Sequence, residues 1–347
     1  MDDYKAQPLI TYGKSGEKFA YKTFAVLKGQ LGGNDGLNQN FKLVDSERVE
    51  FPSGELKAVI KGSVRGRNVY IIQCDVDRIA DPLELLILND AAKRAYAGKI
   101  IDVLTYFPFS RQDRKASGRE PITAKLYARL LETSGADAVC TMDLHAAQIQ
   151  GFFEIPCDNL ESLSAFAIDI EQRYGNFGNI AFVAPDEGSW KRIKDVVKNL
   201  GIGEIPIAVV NKRRVSGDKV ETYNVVGIES LKGRHAVGLD DEIDTASTIE
   251  GGSNSIMESR YRPKTLAWYA THGAFSSPAN ERIDNAYRKY DIEVVTTDTI
   301  PQEQKPWKTV ISMVPIFAHA IDRIERCDSV SALFRLDTIR EIMGRKN

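Results

Sequence analysis

The stretch Asp102–Asn159, DVLTYFPFSRQDRKASGREPITAKLYARLLETSGADAVCTMDLHAAQIQGFFEIPCDN, decides the fold. The apolar run Ile100, Ile101, Val103 and Leu104 reaches an aromatic rim, Tyr106, Phe107 and Phe109, then breaks into Arg111, Gln112, Asp113, Arg114, Lys115 and Arg119. A buried strand therefore delivers a cationic loop. Beyond it, Pro121 suits a first helical turn, Ile122, Leu126 and Leu130 recur every four residues, and Gly135 marks a helix stop. A second strand, Ala138–Met142, ends on Asp143 and His145. Two strands joined through one helix are expected to be parallel neighbours, with their C-terminal tips facing one crevice.

Composition bounds the rest. A chain of 347 residues exceeds one ordinary domain and suggests two. Lys and Arg number 46 against 48 Asp and Glu, and a formal charge of -2 argues against nucleic-acid binding driven by overall basicity. Cys74, Cys140, Cys157 and Cys327 lie far apart with no CxxC pair, so buried thiols in a reducing compartment are expected. MDDYKAQPLITYGK has no apolar core of signal-peptide length, and no later run approaches a membrane span. The expectation is a soluble cytoplasmic protein without a membrane or nucleic-acid partner.

The pattern alternates strand and helix throughout. Gly13-Lys14-Ser15 imitates the end of a P-loop, but Pro8 stands where that motif needs glycine, so a surface turn is expected. Val49–Ile60 reads as two strand pieces about a Pro-Ser-Gly turn, Asn68–Gln73 as a buried strand, and Pro82–Tyr96 as a helix burying Leu83, Leu86, Ile87 and Ala91. A second unit begins near Ser164. Its strand Ile180–Ala184 ends on Pro185-Asp186-Glu187-Gly188-Ser189-Trp190, and Ile207–Val210 leads into NKRRVSGD, Asn211–Asp218, a polar segment expected to be a mobile loop. A short strand, Ala236–Leu239, runs into Asp240-Asp241-Glu242-Ile243-Asp244-Thr245-Ala246-Ser247-Thr248. Paired acids suit ribose hydroxyls, and the free amides of a helix start suit a phosphate. An EF-hand is excluded, because the acids do not alternate and no glycine occupies the sixth place.

The words RQDRKASGREPITAK and MDLHAAQIQGFFEIPCDNL closely resemble the ribose-phosphate pyrophosphokinases, also called phosphoribosyl pyrophosphate synthetases. The resemblance spans roughly Val49–Phe334 and implies an α/β protein of two phosphoribosyltransferase-type, Rossmann-like domains with parallel sheets flanked by helices. Residues 1–163 would form an ATP-binding domain and residues 164–305 a sugar-phosphate domain, with the helix of 306–347 packing back on the first. The active site would lie between the domains. The implied activity transfers the β,γ-pyrophosphoryl group of ATP to the anomeric hydroxyl of ribose 5-phosphate, with Mg2+ as cofactor.

By the same resemblance, Arg111, Gln112 and Lys115 bind ATP phosphates, while Phe51, Ser53 and Glu55 bind adenine from a neighbouring subunit. His145 and Asp186 serve the metal, and Lys212 and Arg214 are the catalytic pair. Asp240, Asp241, Asp244, Thr245, Ala246, Ser247 and Thr248 hold the sugar phosphate. A homo-oligomer, by family likeness a hexamer built from dimers, is implied.

Three residues depart from the family pattern. Ser189 and Ser247 stand at positions usually glycine, and Ser53 replaces the usual Asn or Asp. Glycine permits close approach, so a side chain there can reshape a sugar site. A larger acceptor such as ADP-ribose, with Trp190 stacking a base, is the alternative to ribose 5-phosphate. An inactive regulatory homologue is a second alternative, opposed by the presence of Lys212, Arg214, His145 and Asp186. Ser63, Arg65 and Arg119 resemble regulatory-phosphate positions, but Gly118 stands where serine is common, implying weakened or absent phosphate activation.

Overall fold

The computed structural model describes residues 7–30, 37, 40–175, 177–186, 188–199, 201–214 and 221–344. Two compact units arise, residues 1–161 with 299–301 and 313–347, and residues 162–298 with 302–312.

The first unit runs β1 (Leu9–Tyr12), α1 (Glu17–Leu27), β2 (Lys42–Leu43), β3 (Ser46–Glu50), β4 (Leu56–Ile60), β5 (Asn68–Gln73), α2 (Ala80–Arg94), β6 (Lys99–Leu104), α3 (Thr123–Ser134), β7 (Ala138–Met142) and β8 (Cys157–Leu160). Its sheet has the order β2-β1-β5-β6-β7-β8 with every pairing parallel, while β3 and β4 form a separate antiparallel hairpin. Such sheets are covered on both faces, which is why β5, β6 and β7 read as continuous apolar runs.

The second unit comprises α4 (Leu163–Tyr174), β9 (Ile180–Ala184), α5 (Ser189–Asn199), β10 (Ile207–Arg214), β11 (Glu221–Val226), β12 (His235–Ile243), α6 (Ser247–Met257), β13 (Thr265–Gly273), α7 (Ala279–Tyr290), β14 (Glu293–Thr297) and β15 (Lys308–Ile311). The order is β11-β10-β9-β12-β13-β14-β15, parallel except for the β10–β11 edge hairpin. The chain then rejoins the first unit as α8 (Val314–Glu325) and α9 (Leu336–Ile342). There Phe317 meets Phe19 of α1 edge-on at 5.4 Å, and Glu325 accepts hydrogen bonds from Tyr70 Oη (2.9 Å) and Asn68 Nδ2 (3.0 Å). Residues 308–311, expected within the C-terminal segment, instead add β15 to the second sheet.

Several sequence expectations are corrected. On α3 the buried face is Ala124, Tyr127, Ala128 and Leu131, whereas Leu126 and Leu130 are 54% and 41% exposed. The aromatic rim selects that face, because Phe107 and Phe109 pack on Tyr127 at 5.6 and 5.5 Å. On α2 the buried stripe is Leu85, Leu88 and Ala92 with Asp81, Glu84 and Asn89, while Leu83 is exposed. Those polar residues face inward because partners wait there. Arg48 pairs with Asp81 at 2.7 Å and Glu84 at 3.4 Å, and Asn89 Nδ2 donates to Asp102 Oδ2 at 2.9 Å.

Gly13-Lys14-Ser15 is a packed junction rather than a surface turn. Gly13 N donates to Ile72 O at 3.0 Å, Ser15 Oγ donates to Cys74 O, and both Gly13 and Gly16 are buried. Asn211–Arg214 continue β10 instead of opening a loop, because β11 supplies a ladder partner for each; residues 215–218 of that expected loop lie outside the described residues. The strand expected over Ala236–Leu239 runs from His235 to Ile243, so the acid pair lies inside the ladder. All four cysteines are free; Cys74 and Cys140 are buried as expected, but Cys157 is half-buried and Cys327 exposed.

Asp102 on β6 is wholly buried, and that burial raises its carboxyl to about 8 against the opposing hydrogen bond from Asn89, with Asp137 adding to the rise. An unfolded carboxyl titrates at about 4, so between about pH 4 and 8 the unfolded chain has released a proton that the folded chain keeps. Stability falls as pH rises through that window. Asp102→Asn, which copies the neutral acid, should remove that contribution. In denaturant unfolding at pH 5 and pH 8 the parent should lose roughly 1 kcal/mol per pH unit more than the variant; parallel losses in both proteins would contradict the assignment.

Candidate functional site

In the first unit, the chemistry stands at the C-terminal ends of β6 and β7, which pair in parallel from Ile101↔Ala138 to Leu104↔Thr141. The cationic loop follows β6. Arg111, Gln112 and Lys115 are all exposed there. Gln112 anchors the loop to α3, its Oε1 accepting from Thr123 Oγ1 at 2.6 Å and its backbone O accepting from Ala124 N at 3.2 Å. Glu120 closes the far side, accepting from the Ser117 hydroxyl (2.6 Å) and the amides of Ser117 and Ala116 (2.9 and 2.7 Å). Those bonds hold its carboxyl below the usual range.

His145 is exposed just beyond the tip of β7. Asp143, buried and at φ 43°, bends the chain there in the left-handed region. The edge strand β8 backs the bend. Asp143 N donates to Leu160 O at 2.9 Å and Leu144 N to Asn159 Oδ1 at 3.0 Å. The two tips are tied by Gln148 Nε2, which donates to Asp113 Oδ2 at 3.1 Å. The structure thus brings the imidazole loop and the cationic loop together.

Phe51, Ser53 and Glu55 stand elsewhere, on the turn of the β3–β4 hairpin. Phe51 N donates to Glu55 O at 2.9 Å, Ser53 Oγ donates to Glu55 Oε2 at 3.1 Å, and Phe51 is 44% exposed. Arg65 is occupied by stacking over Tyr96 at 4.5 Å.

In the second unit, Asp186 follows β9 and Asp240 and Asp241 lie in β12, the next strand of the sheet. Asp186 Oδ1 accepts from both Ser189 N and Ser189 Oγ at 2.8 Å, so the carboxylate caps the start of α5. Ser189 is buried, and its Oγ also lies 3.4 Å from Asp240 Oδ1. Asp240 Oδ1 accepts from Asp241 N at 2.9 Å, and Arg192 of α5 approaches Asp241 Oδ2 at 3.7 Å. Asp240 keeps some exposed surface, yet its carboxyl is desolvated. That burial, then the Asp241 carboxylate and Asp186, push it well above the ordinary carboxyl range.

Asp244, Thr245, Ala246, Ser247 and Thr248 join β12 to α6, with Ala246 left-handed at φ 56° and α6 opening at Ser247. The first amides of a helix have no intrahelical partners and point at whatever lies before it. Arg282 of α7 fixes this turn, donating to Thr245 O at 2.9 Å and pairing with Glu250 at 3.2 Å. The sequence reading missed Ser189 as a link between two acids, and Arg192 and Arg282 as supports. The signal for Arg192 was its place one turn into the helix that follows Asp186. Arg282 carried none, since it arrives from a later helix. Lys212 and Arg214 lie on β10, with Tyr223 and Glu221 as their ladder partners on β11. Trp190 is exposed, with Lys194 Nζ over its ring at 5.2 Å. No helix among the described residues is long and apolar enough to cross a membrane.

Two parallel α/β units, one presenting cations and imidazole at strand tips and the other acids beside helix amides, define a protein of phosphoribosyltransferase type. Residues 10–135 match the profile of the N-terminal domain of ribose phosphate pyrophosphokinase, and residues 205–335 that of the phosphoribosyl synthetase-associated domain. The chain is 38% identical over 331 residues to the ribose-phosphate pyrophosphokinase of Clostridium acetobutylicum, covering 94% of this chain and 99% of that one. It is 42% identical over 290 residues to that of Bacillus subtilis, covering 82% and 88%. The solved structure of phosphoribosylpyrophosphate synthetase from Mycobacterium smegmatis superposes with a TM-score of 0.80 at 31% identity, covering 92% of this chain and 99% of that one. The chain belongs to the ribose-phosphate pyrophosphokinase family.

Ser189→Ala retains the backbone N–H that caps α5 on Asp186 and deletes only the hydroxyl between Asp186 and Asp240. A buried hydrogen bond of this kind contributes about 1 kcal/mol. Urea titration should show a loss of that size with helix content unchanged; an unaltered midpoint would show that the hydroxyl bond contributes nothing.

Proposed function

We propose that the protein transfers the β,γ-pyrophosphoryl group of ATP to O1 of ribose 5-phosphate, giving phosphoribosyl pyrophosphate and AMP. The observation that carries this reading is the collinear likeness to a named pyrophosphokinase over 94% of the chain. In this reading the anomeric oxygen attacks the β-phosphorus and gives up its proton to solvent, the bond from the β-phosphorus to the α–β bridging oxygen breaks, and AMP leaves with that oxygen. Phosphoryl transfer of this kind relies on positioning and charge neutralisation.

Arg111 and Lys115 take the ATP phosphates, the first as a planar fork and the second as a point charge, and Gln112 orders their loop. Phe51, Ser53 and Glu55 serve adenine from a neighbouring copy. Asp240 and Asp241 orient the ribose hydroxyls, and Asp244 to Thr248 with the first amides of α6 hold the 5-phosphate. Lys212 and Arg214 oppose the negative charge that develops on the transferred group.

Mg2+ keeps several waters and binds through one or two carboxylates plus substrate phosphates. Asp186, an exposed carboxylate, is the kind of oxygen ligand such an ion takes. Asp186 and His145 would hold it, and its chemistry there is neutralisation of phosphate charge. Phosphorylated metabolites as substrates imply a cytoplasmic location. Trp190 does not favour the larger acceptor, since Lys194 already lies over its ring.

With Mg2+ and ATP, AMP release is expected with ribose 5-phosphate and not with ADP-ribose; the reverse would reassign the acceptor. Asp186→Ser keeps a capping oxygen for the Ser189 amide. Its unfolding midpoint should stay near that of the parent while AMP release falls at least ~100-fold, and a variant that is both stable and active would remove Asp186 from the site.

A homo-oligomer is part of the reading, a hexamer built from dimers by likeness. Leu83, Leu126 and Leu130, 45%, 54% and 41% exposed on the neighbouring helices α2 and α3, support it as apolar surface left uncovered in a single chain. Light scattering on Leu126→Glu/Leu130→Glu should report a smaller species than the parent, and identical masses would place the interface elsewhere.

A further inference from the structure

We propose that Tyr223 is a positioning residue that sets the β10–β11 hairpin, with Lys212 and Arg214, against the helix whose start holds the sugar phosphate. The proposal rests on the functional reading above and adds a residue to it.

Two consecutive glycines, Gly251 and Gly252, sit inside the 11-residue helix α6. Each costs a helix interior about 1 kcal/mol relative to alanine, so a packing reason is required. A Cβ on Gly251 would lie 2.1 Å from Tyr223 Cε2, 2.2 Å from Cδ2 and 2.6 Å from Cζ. The tyrosine ring therefore rests directly on the helix backbone. A Cβ on Gly252 would lie 3.3 Å from Trp268 Cη2 and Cζ2 and 3.5 Å from Val210 Cγ2 of β10. Gly251 admits Tyr223 of β11 at a distance that no side chain there allows, and Gly252 gives Trp268 of β13 and Val210 of β10 a close seat beside it.

One turn after Gly251, Ser255 Oγ donates to Tyr223 O at 2.9 Å, latching the main chain of β11 to the same face. The helix itself is fixed. Trp268 Nε1 donates to Ser253 Oγ at 3.0 Å, and the same indole covers Gly238 of β12, two residues before Asp240. Arg282 holds the other end through Thr245 O and Glu250. Along β11, Tyr223 is the ladder partner of Lys212, and Glu221 that of Arg214. One rigid helix thus carries the phosphate turn at its start and, one turn later, the seat of the residue paired with Lys212. Misplacement of a reacting group by about 1 Å can cost about 100-fold in rate. The ring acts by contact and shape, so its hydroxyl is dispensable for positioning.

The test measures kcat, KM for ribose 5-phosphate and the unfolding midpoint for Tyr223→Phe, Tyr223→Leu, Tyr223→Ala, Gly251→Ala and the double variant Gly251→Ala/Tyr223→Ala. Tyr223→Phe should stay within about 2-fold of the parent. Tyr223→Ala and Gly251→Ala should each lower kcat about 10-fold or more with KM changed less than about 3-fold. The double variant should be no slower than the slower single one, because both act on one contact. Tyr223→Leu keeps bulk without the flat ring and should fall between; it carries the test if the alanine variants do not fold. Wild-type kcat in Tyr223→Ala or Tyr223→Leu, or losses that simply multiply in the double variant, would overturn the proposal. Absence of AMP release from the parent would instead overturn the functional reading on which it rests.

Discussion

Burial of both faces of a parallel sheet is the constraint on which the rest depends. Strands such as β6, β7 and β9 are enclosed along almost their whole length, so polar chemistry is confined to their ends. Because every strand in such a sheet points the same way, the C-terminal ends fall along one edge. In the first unit that edge carries Arg111, Lys115 and His145 on loops tied by Gln148 and Asp113. The second unit places Asp186 just past the end of β9 and the Asp240–Asp241 pair in the adjoining strand β12, linked through Ser189. The proposed transfer needs these groups held in place more than it needs any one of them to react.

The strands and their ends were more legible in the sequence than the faces of the helices. Runs such as Ile100–Leu104 and Ile180–Ala184 announce buried strands, and the polar residues that end them announce their tips. Helix faces misled wherever a polar residue had a buried partner. Asp81, Glu84 and Asn89 occupy the inner stripe of α2 because Arg48 and Asp102 reach them, contacts that no periodicity can register. On α3 the leucines at 126 and 130 mark an outer apolar stripe, while alanines and one tyrosine make the core contact.

Strands β1, β2, β8, β11 and β15 were missed, the last three for a related reason. CDNL, ETYNVV and KTVI are short, mixed or charged, and are defined by a neighbour's ladder rather than by their own propensity. That is also why Asn211–Arg214 read as a loop. The departures at Ser189 and Ser247 look different in three dimensions. Ser189 bridges the cap of α5 to Asp240, so it is built into the acid cluster. Ser247 opens α6 directly after the left-handed Ala246, which takes the positive φ in that turn. Both serines fit the sugar-phosphate reading without a larger acceptor.

In the proposed transfer two linked phosphorus atoms move together. The most direct measurement follows the reaction of ATP, Mg2+ and ribose 5-phosphate by phosphorus NMR. The account predicts that the β and γ resonances of ATP disappear together, that a coupled pair appears on the sugar's anomeric oxygen, and that AMP grows in equal amount. Formation of ADP with a single phosphate on the sugar, or release of free pyrophosphate without a sugar adduct, would contradict it.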